Sequence, residues 1–128
     1  MGANGTMGAN VSAIFASFGN ATVYMVSRDK EKSKKAAIKS AKSVKADAIT
    51  ANLIAADYSM LADCVKASDL VFESAAENLN LKIELHTKIG QSLKKGAVAC
   101  TGSSGLSITR LAECYPEETR GQNVCGSV

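Results

Sequence analysis

Residues 2–8 read Gly-Ala-Asn-Gly-Thr-Met-Gly, a glycine-rich turn that directly precedes a helical pattern. Because glycine has no side chain, such a turn lets the backbone come close to a ligand or to a neighbouring element. The large apolar residues after the turn recur at helical spacing; they are Met7, Val11, Ile14, Phe15 and Phe18. This spacing predicts an amphipathic helix from about Thr6 to Phe18.

Short apolar runs and helical patterns then alternate along the chain. The runs of strand type cover residues 21–26, 49–55, 70–73, 97–100 and 124–128. Helical patterns cover the lysine-rich stretch after residue 29 and residues 60–66, 80–93 and 107–115. Such alternation is typical of an α/β fold in which helices cover a doubly wound parallel sheet. We therefore predict that fold class.

The composition favours one ordinary soluble domain. The chain has 128 residues, of which 46% are hydrophobic and 21% charged. No apolar run approaches the ~20 residues that span a membrane, so no membrane association is expected. The 4 cysteines form no CxxC pair and there is 1 histidine, which argues against a zinc site. Reduced thiols in a cytoplasmic protein are the expectation.

Positive charge is concentrated in residues 28–45, although the net charge of the whole chain is only +3. This stretch contains Arg28 and seven lysines against Asp29 and Glu31. Two interpretations stay open: a solvated helix face, or a field that attracts a phosphate-rich ligand. Aromatic residues make up 5% of the chain and none alternates with these lysines, so nucleic acid is not an expected partner.

The glycine turn carries the chemistry of a dinucleotide cradle. In such cradles the first glycine allows a tight turn, the second lets the backbone approach a pyrophosphate, and the third allows close helix packing. The helix that follows offers unpaired N–H groups and a partial positive charge. Gly5, Thr6, Met7 and Gly8 match the second to third glycine positions, whereas the first falls on Ala3. The alternative is a plain turn ahead of a helix.

The residues that follow the strand predicted over residues 21–26 decide between NAD and NADP. An acidic residue at this position usually accepts hydrogen bonds from the adenosine ribose. Here the position reads Ser27 followed by Arg28, a pair that suits a 2′-phosphate, while Asp29 serves instead if the strand runs longer. NAD therefore remains open against NADP. Arg28 as a plain surface residue is the structural alternative.

Two further stretches identify a family. Residues 67–85, ASDLVFESAAENLNLKIEL, join a strand ending in glutamate to a Glu-Asn-Leu-x-x-Lys element. Residues 100–109, Cys-Thr-Gly-Ser-Ser-Gly-Leu-Ser-Ile-Thr, carry a Ser-Ser pair. With the Gly-x-Met-Gly turn, they resemble the 3-hydroxyacyl-CoA dehydrogenase family along the whole chain. The family reads Asn-Thr-Ser-Ser-Leu at the second stretch, so Gly105 is an apparent insertion here. The resemblance implies a Rossmann-type sheet.

The resemblance also implies roles for individual side chains. Glu77 and Lys82 match the pair that lies beside the nicotinamide end of the cofactor, and Ser103 matches the serine that contacts the substrate oxygen near the hydride. The alternatives are that Glu77 is a carboxylate favoured by the helix dipole, Lys82 a surface lysine and Ser103 a helix cap. His86 matches no catalytic position of the family, so we expect a structural role for it.

The implied function is the cofactor-binding part of an oxidoreductase of fatty-acid metabolism. It would oxidise 3-hydroxyacyl-CoA to 3-ketoacyl-CoA with NAD(P), and its parent would be a homodimer. The alternatives are another hydroxyacid dehydrogenase with a Gly-x-Met-Gly turn and a non-catalytic dinucleotide-binding module. The family's first strand, general-base histidine and C-terminal helical domain have no match here. Residues 1–128 are therefore expected to be a dinucleotide-binding domain truncated at both ends and inactive alone.

Overall fold

The computed structural model describes residues 1–2, 5–44, 47–76, 78–102, 108–117 and 124–126. The helices are α1 (Thr6–Ser17), α2 (Lys30–Ser43), α3 (Leu61–Ala67), α4 (Leu79–Ser92) and α5 (Ile108–Ala112). The strands are β1 (Val23–Ser27), β2 (Leu53–Asp57), β3 (Leu70–Glu73), β4 (Val98–Thr101) and β5 (Val124–Gly126). Strands and helices alternate from β1 onward, which confirms the predicted α/β class.

The chain divides into two compact units, Met1–Met60 and Leu61–Val128. In the first unit β1 and β2 pair in parallel, with Val23 opposite Leu53. In the second unit the parallel order is β3-β4-β5. The Rossmann fold has the strand order 3-2-1-4-5-6. In that order β1 and β2 correspond to strands 2 and 3, and β3, β4 and β5 correspond to strands 4, 5 and 6. Each set of strands thus matches part of the strand order of a doubly wound fold, and none of the described strands takes the place of strand 1.

Helix α1 confirms the helix that was predicted over these residues, but the face that it buries is not the face that carries the large apolar side chains. Its buried residues are small: Gly8, Ser12, Ala13 and Ala16. The side chains of Met7, Ile14 and Phe18 are 60%, 54% and 85% exposed. The small face lets α1 approach α2 closely enough for Ser40 Oγ to donate a hydrogen bond to the Ala9 carbonyl oxygen, at 3.0 Å.

The core of the first unit is built mainly from small and aliphatic side chains. They are Ala16, Met25, Ala36, Ala37, Ala41, Ile49 and Leu53. The sequence prediction of a strand over residues 49–55 is wrong at its start. Asp47–Asn52 is a 3₁₀ helix, and the strand occupies Leu53–Asp57. Ile49 lies in that 3₁₀ helix and its side chain is buried in the core. An apolar residue at this position therefore looked like the first residue of the strand.

In the second unit α4 packs against α3 and is joined to β3 by side-chain hydrogen bonds to Glu73. The buried residues of α4 are Lys82, Leu85, His86, Ile89 and Gly90, which lie on one helical face. The side chain of Asn78 caps this helix by accepting a hydrogen bond from Leu81 N at 3.1 Å. The helix matches the prediction over residues 80–93 to within one residue at each end.

The cysteines do not all carry free thiols. Cys64 and Cys114 are free, but Cys100 is disulfide-bonded, so the expectation of reduced thiols throughout is wrong. The backbone register places Cys125 of β5 opposite Cys100 of β4, a relationship between distant residues that spacing alone did not reveal. Among the helices of the described segments, none has the length and apolar character that crossing a bilayer requires.

Candidate functional site

The glycine turn ends at the amino terminus of α1, as predicted. Gly5 is the N-cap residue, with extended backbone angles of φ −83° and ψ 164°, and its N–H donates to the Gly2 carbonyl oxygen at 3.0 Å. Thr6 and Met7 begin the helix and are exposed, whereas Gly8 is buried. The structure therefore brings the four predicted cradle residues together in the first turn.

This helix terminus has no charged or capping side chain of its own. Gly5 is a glycine and has no side chain with which to cap the helix, and the residues of the first turn of α1 include no acidic side chain. The first N–H groups of a helix lack internal partners, and the helix dipole adds partial positive charge there. The amino terminus of α1 thus fits a phosphate group, and the absence of a Cβ at Gly5 leaves room for its approach.

Ser27 and Arg28 point to different environments at the end of β1. Ser27 is 1% exposed, and its hydroxyl lies 2.7 Å from Ser33 Oγ and donates to the Asp29 carbonyl oxygen at 2.8 Å. Asp29 caps α2 by accepting from Glu31 N at 2.9 Å. Arg28 is exposed. The buried serine therefore shapes the turn, and the arginine is the solvent-facing member of the predicted pair.

A buried polar cluster in the second unit centres on Glu73, the last residue of β3. Its Oε1 accepts hydrogen bonds from Lys82 Nζ at 2.8 Å and from Ala75 N at 2.5 Å. Its Oε2 lies 3.1 Å from His86 Nε2 and accepts from Thr101 Oγ1 at 2.8 Å. Each carboxylate oxygen therefore has two partners, although the carboxylate is completely buried.

Lys82 and His86 reach this carboxylate because they are four residues apart and share one face of α4. Lys82 Nζ also donates to the Ala75 carbonyl oxygen at 3.2 Å. His86 Nδ1 lies 2.7 Å from the Tyr115 hydroxyl. With Nε2 donating to the carboxylate, Nδ1 of a neutral ring would accept a hydrogen bond from the Tyr115 hydroxyl. The cluster thus links β3, β4 and α4 to the segment after α5.

The electrostatics of the cluster favour an ionised glutamate. Burial alone would raise the pKa of Glu73. Hydrogen bonds from His86, Lys82 and Thr101, together with the positive charge of Lys82, outweigh burial and lower that pKa to about 2. Burial is also the main reason why the pKa of Tyr115 is raised, with smaller contributions from Cys114 and Glu73. The arrangement is a charged, fully hydrogen-bonded scaffold at neutral pH.

The structure brings Lys82 into this cluster and excludes the alternative that it is a surface lysine, because it is 0% exposed. The buried contacts of His86 agree with the structural role expected for it. Glu77 and Ser103 lie outside the described residues, so their roles stay predictions. Sequence reasoning did not single out Glu73 or Thr101. The available signal was a carboxylate closing an apolar strand, followed by lysine and histidine at helical spacing.

The chain is similar to known dehydrogenases along nearly its whole length. A family model for the 3-hydroxyacyl-CoA dehydrogenase NAD-binding domain matches residues 1–126. The chain is 30% identical to the mitochondrial hydroxyacyl-coenzyme A dehydrogenase of Rattus norvegicus, over 91% of this chain and 41% of the rat protein. It is 42% identical to an L-carnitine dehydrogenase of a Pseudomonas species, over 46% of this chain and 19% of that protein.

The fold of the chain is also similar to that of a solved dehydrogenase structure. The (S)-3-hydroxybutyryl-CoA dehydrogenase of Ralstonia eutropha aligns with a TM-score of 0.77 and 26% identity, covering 96% of this chain and 45% of the other. The chain therefore spans less than half the length of the relatives it matches. Because the family model covers nearly every residue, the chain belongs to the family of 3-hydroxyacyl-CoA dehydrogenase NAD-binding domains.

Proposed function

We propose that this chain is the cofactor-binding part of an NAD(P)-dependent enzyme that oxidises 3-hydroxyacyl-CoA to 3-ketoacyl-CoA. The observation that carries the proposal is the amino terminus of α1. It follows the glycine turn without a capping side chain or an acidic residue, in a chain that belongs to an NAD-binding family. A helix end of this kind suits the pyrophosphate of a dinucleotide.

In this proposal the first turn of α1 holds the cofactor. The N–H groups near Gly5, Thr6 and Met7 bind the pyrophosphate, and Gly8 keeps the helix close to its neighbours. When bound, the nicotinamide supplies the hydride chemistry of the reaction. Arg28 is exposed and is the residue proposed to pair with a 2′-phosphate if NADP is used, while the buried Ser27 supports the turn.

The buried cluster gives the second unit its proposed role. Glu77, Lys82 and Ser103 are proposed to lie near the reacting end of the cofactor, with Ser103 contacting the substrate oxygen. Glu73 is a positioning residue in this account, because it fixes Lys82 and the Ala75 backbone at the start of the loop that leads to α4. His86 is not proposed as the general base, since both ring nitrogens already contact buried partners.

A second candidate function is supported by the similarity to L-carnitine dehydrogenase. Here the substrate would be a small hydroxy acid with no CoA group, and the cofactor cradle would be unchanged. The two candidate functions use the same cofactor site at the α1 terminus. They differ in the substrate, which carries a CoA group in the first and none in the second. A non-catalytic dinucleotide-binding module would keep the same cradle without any turnover.

Substrate oxidation by the expressed product of the gene separates these candidates. We expect NAD-dependent oxidation of 3-hydroxybutyryl-CoA to exceed that of L-carnitine, and Ser103→Ala to lower kcat by about tenfold or more through the lost hydrogen bond to the substrate oxygen. A preference for L-carnitine would favour the second candidate. Binding of NADH with no oxidation of either compound would contradict both enzymatic proposals.

A further inference from the structure

A buried path of hydrogen bonds extends from Tyr115 to Lys82. The Tyr115 hydroxyl lies 2.7 Å from His86 Nδ1, and His86 Nε2 lies 3.1 Å from Glu73 Oε2. The other carboxylate oxygen, Glu73 Oε1, accepts from Lys82 Nζ at 2.8 Å and from Ala75 N at 2.5 Å. The side chains of Tyr115, His86, Glu73 and Lys82 are all 2% exposed or less. The tyrosine is thus connected to the loop after β3 through side chains that water does not reach.

The position of the proton on the His86 ring follows from its two neighbours. An ionised carboxylate only accepts hydrogen bonds, so Nε2 of His86 must carry the proton that binds Glu73. A second proton on Nδ1 would place the charges of His86 and Lys82 together beside one buried carboxylate, which is costly. Burial raises the pKa of Tyr115, so its hydroxyl keeps its proton at neutral pH and can donate a hydrogen bond. A neutral ring with its hydrogen on Nε2 satisfies both neighbours.

Tyr115 is held firmly enough to select this form of the ring. The hydrogen bond made by one ring nitrogen of a histidine decides where the proton resides. Tyr115 N donates to the Ala112 carbonyl oxygen at 3.0 Å, which fixes the backbone after α5. A Cβ on Gly90 would lie 3.3 Å from Tyr115 Cδ1, so the tyrosine ring packs closely on α4. The His86 and Tyr115 rings meet edge to face with their centroids 5.8 Å apart.

The orientation of the Glu73 carboxylate depends on the form of the His86 ring. If the hydrogen moved to Nδ1, Nε2 would present a lone pair to Glu73 Oε2, and the two acceptors would repel each other. The two oxygens of a carboxylate belong to one rigid group. A rotation that separates Oε2 from His86 therefore also moves Oε1, which holds Lys82 and the Ala75 backbone.

We propose that Tyr115 and His86 are positioning residues for the loop after β3. The Tyr115 hydroxyl fixes the Nε2–H form of His86, and this form holds Glu73 in the orientation that binds Lys82 and the Ala75 backbone. The two residues act through Glu73 and not by contact with a ligand.

Nuclear magnetic resonance of the chain tests this path directly. His86 is the only histidine of the sequence, so the ring ¹⁵N signals of the labelled chain belong to it alone. At neutral pH we expect a protonated Nε2 and an unprotonated Nδ1. Tyr115→Phe keeps the ring and removes the hydroxyl. We expect a mixture of the two neutral ring forms in that variant, and hydrogen exchange at the Ala75 N–H that is faster by about tenfold or more.

Two control variants separate this effect from a general loss of stability. Tyr24→Phe makes the same chemical change at a half-buried position of β1. Ile89→Val shortens a completely buried side chain of α4 and leaves the hydrogen bonds of the path in place. Neither control should alter the His86 signals or accelerate exchange at Ala75 more than at other protected amides.

Three results would overturn the proposal. The first is a protonated Nδ1 in the unsubstituted chain, which needs no variant to be measured. The second is a Tyr115→Phe variant whose His86 signals and Ala75 exchange are unchanged. The third is an equal change in Ile89→Val, which would show that loosened packing alone accounts for the effect.

The consequence for catalysis rests on the proposed function, in which Lys82 lies near the reacting end of the cofactor. In the expressed product of the gene, Tyr115→Phe should lower kcat for 3-hydroxybutyryl-CoA by about tenfold, because a displaced ammonium no longer fits the reacting geometry. The KM for NAD should change by less than about twofold, because the α1 terminus is untouched.

The outcomes for the two claims are distinguishable. An unchanged kcat in a variant whose His86 ring form has changed would show that Tyr115 and His86 only stabilise the fold, and would overturn their positioning role. Absence of turnover by the unsubstituted gene product would contradict the proposed function instead. The His86 signals and the Ala75 exchange need no turnover, so they would still decide whether Tyr115 acts on the loop through His86 and Glu73.

Discussion

Lys82 Nζ lies 2.8 Å from Glu73 Oε1, and the two side chains are 1% and 0% exposed. The pair joins the end of β3 to the first turns of α4. Taking both charges out of water is costly, and here the cost is offset by the further hydrogen bonds that each group makes. Removing either partner alone should therefore be far more damaging than removing an exposed ion pair.

We predict that Glu73→Gln lowers the free energy of unfolding by about 3 kcal/mol, because it leaves the Lys82 ammonium buried without a countercharge. Urea unfolding followed by circular dichroism measures this value. The control is Glu84→Gln, which breaks the Lys88–Glu84 pair at 2.7 Å between side chains that are 53% and 61% exposed. That change should cost less than about 1 kcal/mol. Similar losses in the two variants would contradict the structural role of the buried pair.

The depressed pKa of Glu73 predicts a specific acid sensitivity. Its pKa is about 2 in the folded chain and 4.5 ordinarily. The folded state therefore gains stability from the ionised carboxylate above pH 4.5 and loses it as the pH falls through 2. The difference corresponds to on the order of 3 kcal/mol at neutral pH. Unfolding free energies measured from pH 7 downward should fall more steeply for the unsubstituted chain than for Glu73→Gln, and parallel curves would refute this assignment.

The elements of the fold were predictable from the sequence because each carries a local signal. The four-residue spacing of Leu81, Leu85 and Ile89 was enough to place α4, and the apolar run that closes with Glu73 was enough to place β3. The burial of α1 was not predictable in the same way. Its large apolar residues form the clearer stripe, yet the small residues Gly8, Ala13 and Ala16 are the buried ones. Close approach to α2 selects small side chains, and this depends on a partner that no local pattern reveals.

The candidate site was predictable only where it lies on one continuous segment. The glycine turn and the α1 terminus are adjacent in sequence, so Gly5 and Thr6 were found. The buried cluster joins Glu73, Lys82 and Thr101, of which the first and last are 28 residues apart. The sequence separation of two such distant residues does not predict whether they touch, because their contact depends on which strands become neighbours in the sheet.

Gly90 provides a packing prediction. A Cβ at this position would lie 2.9 Å from the Cys114 carbonyl oxygen and 3.3 Å from Tyr115 Cδ1. Gly90→Ala should therefore lower the unfolding free energy by about 1–3 kcal/mol, although alanine favours helices. Gln91→Ala, at the exposed neighbouring position of α4, is the control and should have little effect. Thermal unfolding compares the two, and a stabilised Gly90→Ala variant would show that α4 and the Cys114–Tyr115 backbone are not closely packed.

Arg28 provides a prediction about cofactor choice. If its exposed guanidinium pairs with a 2′-phosphate, Arg28→Glu should weaken NADPH binding by about tenfold or more while changing NADH binding little. Fluorescence titration with each cofactor measures the effect. Lys42→Glu makes the same charge change at another exposed position and should affect both cofactors alike. Equal weakening of the two cofactors by Arg28→Glu would leave Arg28 as a surface residue.

The amino terminus of α1 is proposed to bind the pyrophosphate of a dinucleotide. The decisive measurement is NADH titration of the unsubstituted chain and of Gly8→Val. Gly8 is buried in the first turn of α1, so a valine side chain there would displace the helix from the position that aims its N–H groups. We expect saturable NADH binding by the unsubstituted chain and loss of that binding in Gly8→Val, with helical content retained as judged by circular dichroism. Equal NADH affinity in the two proteins would contradict it.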